Sequence, residues 1–107
     1  MLQTLIVARM DPAQAGAVAR IFAESDATGL PALVGVTGRT LLHFHGLYFH
    51  AIEARQDPLP ELEKVRRHPL FTEVNAELGR YISPFDPSTW TEPKDAMATP
   101  FYRWRAQ

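Results

Sequence analysis

Five side chains with chemical potential, Arg39, His43, His45, Tyr48 and His50, fall within twelve consecutive residues. Three of the four histidines lie between positions 43 and 50. Imidazole titrates near neutral pH, so it can take up and return a proton where most side chains cannot. A guanidinium stays charged, and its fork of donors suits a developing oxyanion. The combination points to proton transfer beside a stabilised negative charge, with His50 the foremost chemical histidine.

The stretch that carries them, residues 34–53, is rich in Val, Thr, Phe, Tyr and Ile and reads as a β-hairpin. Gly46 sits where a tight reversal falls. That turn sets His43 roughly across from His50, and His45 across from Tyr48. The hairpin spans about 33–54. Ahead of it, residues 2–9 are strand-prone. Asp11-Pro12 then starts a helix, with aspartate as N-cap and proline at the first helical position. Ala15, Val18, Ala19 and Phe22 keep helical spacing to about Glu24, and Gly29 to Pro31 ends that helix.

Asp57-Pro58 opens a second helical region striped by Leu59, Leu62 and Val65. His68-Pro69 interrupts it, because a residue before proline avoids the α region. Helix resumes through Leu70, Phe71, Val74 and Leu78 to about Tyr81. A proline-rich loop covers 84–93, and the aromatic run from Thr99 to Arg105 reads as a last strand. The order βαββαβ predicts a ferredoxin-like α+β fold, a four-stranded antiparallel sheet with its helices on one face. The bare sheet face then calls for a homodimer that pairs two sheets.

Each candidate also has a plainer reading. His43, His45 and His50 offer metal-ligating nitrogens, but His45 belongs with Tyr48 and not with the other two, so no metal site is expected. From position alone Arg39 reads first as a solvated residue of an edge strand. Asp26, after the first helix, fits an Asx turn. Arg66, Arg67 and His68 suit a helix C-terminus through its dipole. Trp90, Phe101, Tyr102 and Trp104 read mainly as core, with some able to line a pocket for a flat ligand. No basic-Gly-aromatic strand of an RNA-binding sheet is present.

Composition narrows the classes further. A chain of 107 residues is one domain, 1–107. A net charge of −1 advertises neither nucleic acid nor an anionic membrane. Cysteine is absent, so disulfides and thiol chemistry are excluded. No apolar run reaches the roughly 20 residues that span a bilayer, and the start lacks the basic region of a signal peptide. A cytoplasmic protein is expected.

Several motifs together resemble one family. They are Ala8 to Pro12, Phe22 to Thr28, Leu30-Pro31, Gly35-Val36, Arg39, Phe44-His45, Leu47-Tyr48 and His50 to Glu53. His68-Pro-Leu-Phe71, Glu73 to Asn75 and Phe101 to Trp104 complete the set. The chain is similar over nearly its whole length to the small aromatic (type II) polyketide cyclases of the tetracenomycin cyclase type, which include spore-pigment cyclases. The resemblance implies a dimeric ferredoxin-like fold, no cofactor, and aldol-type ring closure with dehydration of a poly-β-ketone or partly cyclised intermediate. It implies Asp26, Arg39 and His50 as catalytic residues, with Ser25, Tyr48 and His43 around the substrate. Ser25 stands where the tetracenomycin-type enzyme has a histidine, which implies either that this histidine is dispensable for the chemistry or that the chain handles a different ring closure. Implied partners are the polyketide intermediate, an acyl carrier protein and the minimal polyketide synthase. A cofactor-free monooxygenase of polycyclic phenols and a non-catalytic polyketide chaperone are the competing readings.

Overall fold

The computed structural model describes residues 2–91 and 93–106. Strand β1 (Leu2–Met10) leads through a short 3-10 turn, Pro12–Gln14, into α1 (Ala15–Asp26). Asp11 caps that turn, its Oδ1 accepting from the Ala13 amide at 3.0 Å, so the Asp-Pro signal acts as expected. Helix α2 (Leu30–Val34) follows, then β2 (Val36–Phe44), β3 (Leu47–Ala54), α3 (Leu59–Val65), α4 (Pro69–Leu78) and β4 (Ile82–Pro84).

The strands form one antiparallel sheet in the order β2-β3-β1-β4. Along β3, burial alternates strictly, with Tyr48, His50, Ile52 and Ala54 buried. That face packs against the helices: Ala8, Met10 and Tyr48 form one core cluster with Val18 and Phe22 of α1. A second cluster joins Leu30 and Val34 of α2 to Val65 of α3. This is the ferredoxin-like arrangement, with helices on a single side.

Three details differ from the sequence reading. The hairpin turns at His45 and Gly46, with φ of 49° and 81°. Two consecutive left-handed residues make the two-residue turn that matches strand twist, and histidine is among the non-glycine residues that tolerate it. His43 therefore pairs with Tyr48, and Leu41 with His50, each partner two places from its expected position. A shift of two preserves the face of every side chain.

The second difference is α2. Pro31 begins that short helix where a break was read, because proline is at home in a first turn. Gly35, at φ 81°, closes it.

The third concerns the fourth strand, which is Ile82–Pro84 and not the aromatic run 99–105. Met97 makes one bridge to Ile6, and the Ala98 amide donates to the Leu5 carbonyl at 2.7 Å. Beyond that the chain leaves the sheet edge, and Phe101, Tyr102 and Trp104 are exposed rather than core. Trp90 alone of the four packs against the core. Aromatic content marks a strand only when a partner edge is available to bury it.

Candidate active site

Arg39 lies on the helix side of β2, opposite Ile52 and diagonal to His50 on β3. The ladder's irregularity falls earlier, between Val36 and Gly38, so the register beyond it aims Arg39 and His50 at the same interior. Asp26, the last residue of α1, reaches across to meet them. Arg39 Nε donates to both carboxylate oxygens of Asp26 at 3.0 Å, and its NH2 lies 2.7 Å from Oδ1. Arg39 NH1 lies 3.0 Å from His50 Nε2. The carboxylate, guanidinium and imidazole thus form one chain of contacts.

Phe22, one helical turn before Asp26, closes the group from the apolar side. Its ring meets His50 edge-on at 5.0 Å and lies 4.8 Å beneath the Arg39 guanidinium. Phe22 escaped the sequence reading as a site residue, yet its spacing of four from Asp26 puts both on one helix face. The plainer readings of Arg39 and Asp26 do not apply: Arg39 is only 17% exposed in its side chain and points inward.

Arginine has no acceptor, so the short contact requires that His50 Nε2 accept from NH1 and that the ring hydrogen sit on Nδ1. Burial, and next the Arg39 charge, hold the His50 pKa down at about 3. With the Arg39 guanidinium against it, His50 is a neutral acceptor. The near-neutral titration expected of an isolated imidazole does not survive this setting.

The remaining candidates surround the group unequally. Tyr48 is buried beside His50, ring centroids 6.3 Å apart, and burial raises its phenol pKa above the ordinary value. Ser25 is buried next to Asp26, its carbonyl accepting from Thr28. His43 is exposed near the hairpin end, opposite Tyr48. His45 is a turn residue, its ring against Phe44 at 4.2 Å. His68 caps α4, Nδ1 accepting from the Leu70 amide at 3.1 Å, and Arg66 pairs with Glu63 at 3.2 Å. Among the described residues no three metal-ligating side chains converge.

Two hollows adjoin the sheet. A cleft of about 160 Å³ lies between α1 and β2, lined in part by Ala15, Ala19, Leu41 and Tyr48. A hollow of about 640 Å³ lies on the other face, between Gln3, Leu5, Ala51 and the 98–105 tail. Asp26, Arg39 and His50 are not among the lining residues of the smaller cleft. Leu41, which is, pairs with His50 across the ladder, and Tyr48 lies beside the His50 ring. The larger one contains none of the five hairpin side chains. Among the described residues no helix is long and apolar enough to cross a membrane.

Residues 2–105 match the family model described as polyketide synthesis cyclase. The chain is 49% identical over 104 residues to tetracenomycin F2 cyclase of Streptomyces glaucescens, covering 97% of this chain and 94% of that protein. It is 51% identical to an uncharacterised protein of Streptomyces coelicolor over 97% and 95% of the two chains. It is 46% identical to the polyketide synthase CurG of Streptomyces cyaneus over 97% of each. The solved structure of tetracenomycin F2 cyclase, described as a type II polyketide cyclase, superposes with a TM-score of 0.93 at 48% identity over 100% of both chains. With fold, length and sequence in agreement, this chain belongs to the polyketide synthesis cyclase family and is a polyketide cyclase of type II polyketide synthesis.

Proposed function

We propose that this cyclase closes a ring by an intramolecular aldol reaction followed by loss of water, with no cofactor, and that Asp26, Arg39 and His50 carry the chemistry. The observation that supports this most is Arg39, whose guanidinium touches Asp26 and His50 at once beside an apolar cleft. A methylene between two carbonyls of a poly-β-ketone gives up its proton only as the enolate oxygen gains charge. Arg39 meets that charge with donors already in place, so little reorganisation is needed.

His50 then becomes a competent base for a specific reason. Burial, the larger cause of the low imidazole pKa, stays, but an enolate beside Arg39 offsets the second cause, the guanidinium charge. Proton uptake at Nε2 and enolate formation therefore favour each other. The enolate carbon attacks a second carbonyl, and the imidazolium returns its proton to the new alkoxide. Dehydration repeats the cycle: His50 removes the next acidic proton, and the imidazolium so formed returns it to the departing hydroxyl, which leaves as water. Asp26 is the positioning partner that fixes the guanidinium plane. Holding a flexible chain in one reactive fold adds a further share of the acceleration. Ser25, Tyr48 and His43 are assigned to substrate contact.

The substrate is delivered as a polyketide intermediate from an acyl carrier protein and minimal synthase. The working form is a homodimer joined through the outer sheet face, which carries Phe44 at 63% exposure together with Leu5, Val7 and Phe49. Purified protein and a partly cyclised poly-β-ketone, incubated with and without oxygen, test the reaction. A product lighter by one water, formed equally without oxygen, is expected. Oxygen incorporation, or binding without turnover, would replace the aldol assignment by the monooxygenase or chaperone reading.

A further inference from the structure

We propose that Ala15 and Ala19 set the size of the substrate's apolar part, which enters the α1–β2 cleft as a single ring-sized unit anchored by the Tyr48 hydroxyl. This deepens the aldol-cyclase reading and rests on it. Ala15 and Ala19 are one helical turn apart and form the helical wall, while Leu41 and His43 form the strand wall. The volume of about 160 Å³ is close to the ~150 Å³ of apolar cavities that admit a benzene ring. The wall is formed by methyl groups, so any longer side chain on α1 subtracts directly from that space.

Tyr48 gives the cleft its polar point. The residue is 4% exposed, and among the described residues its hydroxyl has no hydrogen-bond partner. Among the described residues no buried side-chain polar atom lacks a partner, so the hydroxyl itself stays accessible, and the space that Tyr48 borders is this cleft. A phenol held protonated by burial is a donor awaiting an acceptor, such as a ketone or phenol oxygen. Arg39 to His43 spans about 13 Å along β2. A ligand can therefore rest its enolisable end on Arg39 and a neighbouring ring over Tyr48.

Two small phenols separate the halves of this site: benzene-1,3-diol, which fits at Arg39 alone, and naphthalene-1,3-diol, which adds the second ring. Binding is followed by chemical-shift perturbation of the Ala15 methyl, which borders the same cleft and is present in every variant, and of the His50 ring. Wild type is expected to bind the naphthalene diol more tightly. Ala19→Leu should weaken it by about tenfold or more, as crowding a hydrophobic pocket does, while benzene-1,3-diol binding stays unchanged. Ala19 is exposed, so the substitution leaves the core intact. Ala19→Ser, nearly the same size, should bind both diols like wild type. Tyr48→Phe should weaken the naphthalene diol several-fold through the lost hydrogen bond.

Equal binding of the two diols by wild type, or an Ala19→Leu protein that treats them alike, would overturn the proposal. Failure of the cyclase reading looks different: diol selectivity persists, but wild type forms no ring product from the poly-β-ketone.

Discussion

The guanidinium NH1 of Arg39 stands 3.0 Å from Nε2 of His50, so the cation donates to the same nitrogen that would accept a substrate proton. The two groups oppose each other. Protonating His50 requires that NH1 let go and that two positive charges share a buried space. In the proposed reaction an enolate that accepts from Arg39 would free Nε2 and offset the guanidinium charge, the second cause of the low His50 pKa. Burial, the larger cause, would remain.

Replacing Arg39 by methionine separates these effects. Losing an oxyanion donor commonly costs about 10²–10³ in turnover, and aberrantly cyclised products should rise as the correct ring falls. At the same time the His50 pKa should climb from about 3 toward, without reaching, the ordinary imidazole value, because burial is its larger cause. An NMR titration of the His50 ring in Arg39→Met checks the second half. An unmoved midpoint would remove the electrostatic link.

Asp26→Asn leaves the cation in place but weakens its anchor. Turnover should fall by less than in Arg39→Met, and the double variant should resemble Arg39→Met alone, since Asp26 acts through Arg39. Single-turnover rates for the three proteins decide this. Independent, additive losses would give Asp26 a role of its own.

Much of this site was legible from position, and its electrostatics were not. The strand-turn-strand pattern around Gly46 placed Arg39 and His50 on neighbouring strands. Whether they share a face depends on where a bulge falls, and the irregularity between Val36 and Gly38 lies before Arg39. Asp26 could not be joined to them from spacing, because the contact depends on where α1 ends over the sheet. Nor could the His50 pKa, since burial is decided by Phe22 on a different element. The aromatic tail misled for a related reason. Strand propensity in 99–105 is real, but Ile82–Pro84 pairs with Ala8 to Met10, and after one bridge from Met97 to Ile6 the chain leaves the remaining edge of β1.

Acid stability follows from His50. The unfolded chain takes up a proton at the imidazole near pH 6.5, while the folded protein refuses it until about pH 3. Between those values the unfolded state binds more protons, so stability falls as pH falls. The slope from this one group has a ceiling of about 1.4 kcal/mol per pH unit. His50→Gln keeps an acceptor for Arg39 and has nothing to titrate. Urea unfolding at pH 7 and pH 4.5 should show a loss of order 1–3 kcal/mol in wild type beyond that in His50→Gln. Parallel losses in the two proteins would mean that His50 ionises in the folded state.

Assembly can be tested without disturbing the catalytic group. Phe44 is on the outer side of β2 and is 63% exposed, while Arg39 and His50 point to the helix side. Phe44→Asp adds a charge to the face assigned to dimer contact and removes little buried area from a single chain, so the fold should tolerate it. Burying that carboxylate between two sheets without a partner would be costly. Light scattering at micromolar concentration should therefore give a dimer for wild type and a monomer for Phe44→Asp, with matching circular dichroism. The NMR titration of His50 should be unchanged, because the substitution leaves Arg39 and Phe22 in place. A monomeric wild type, or a Phe44→Asp protein still fully dimeric, would take the interface away from this sheet face.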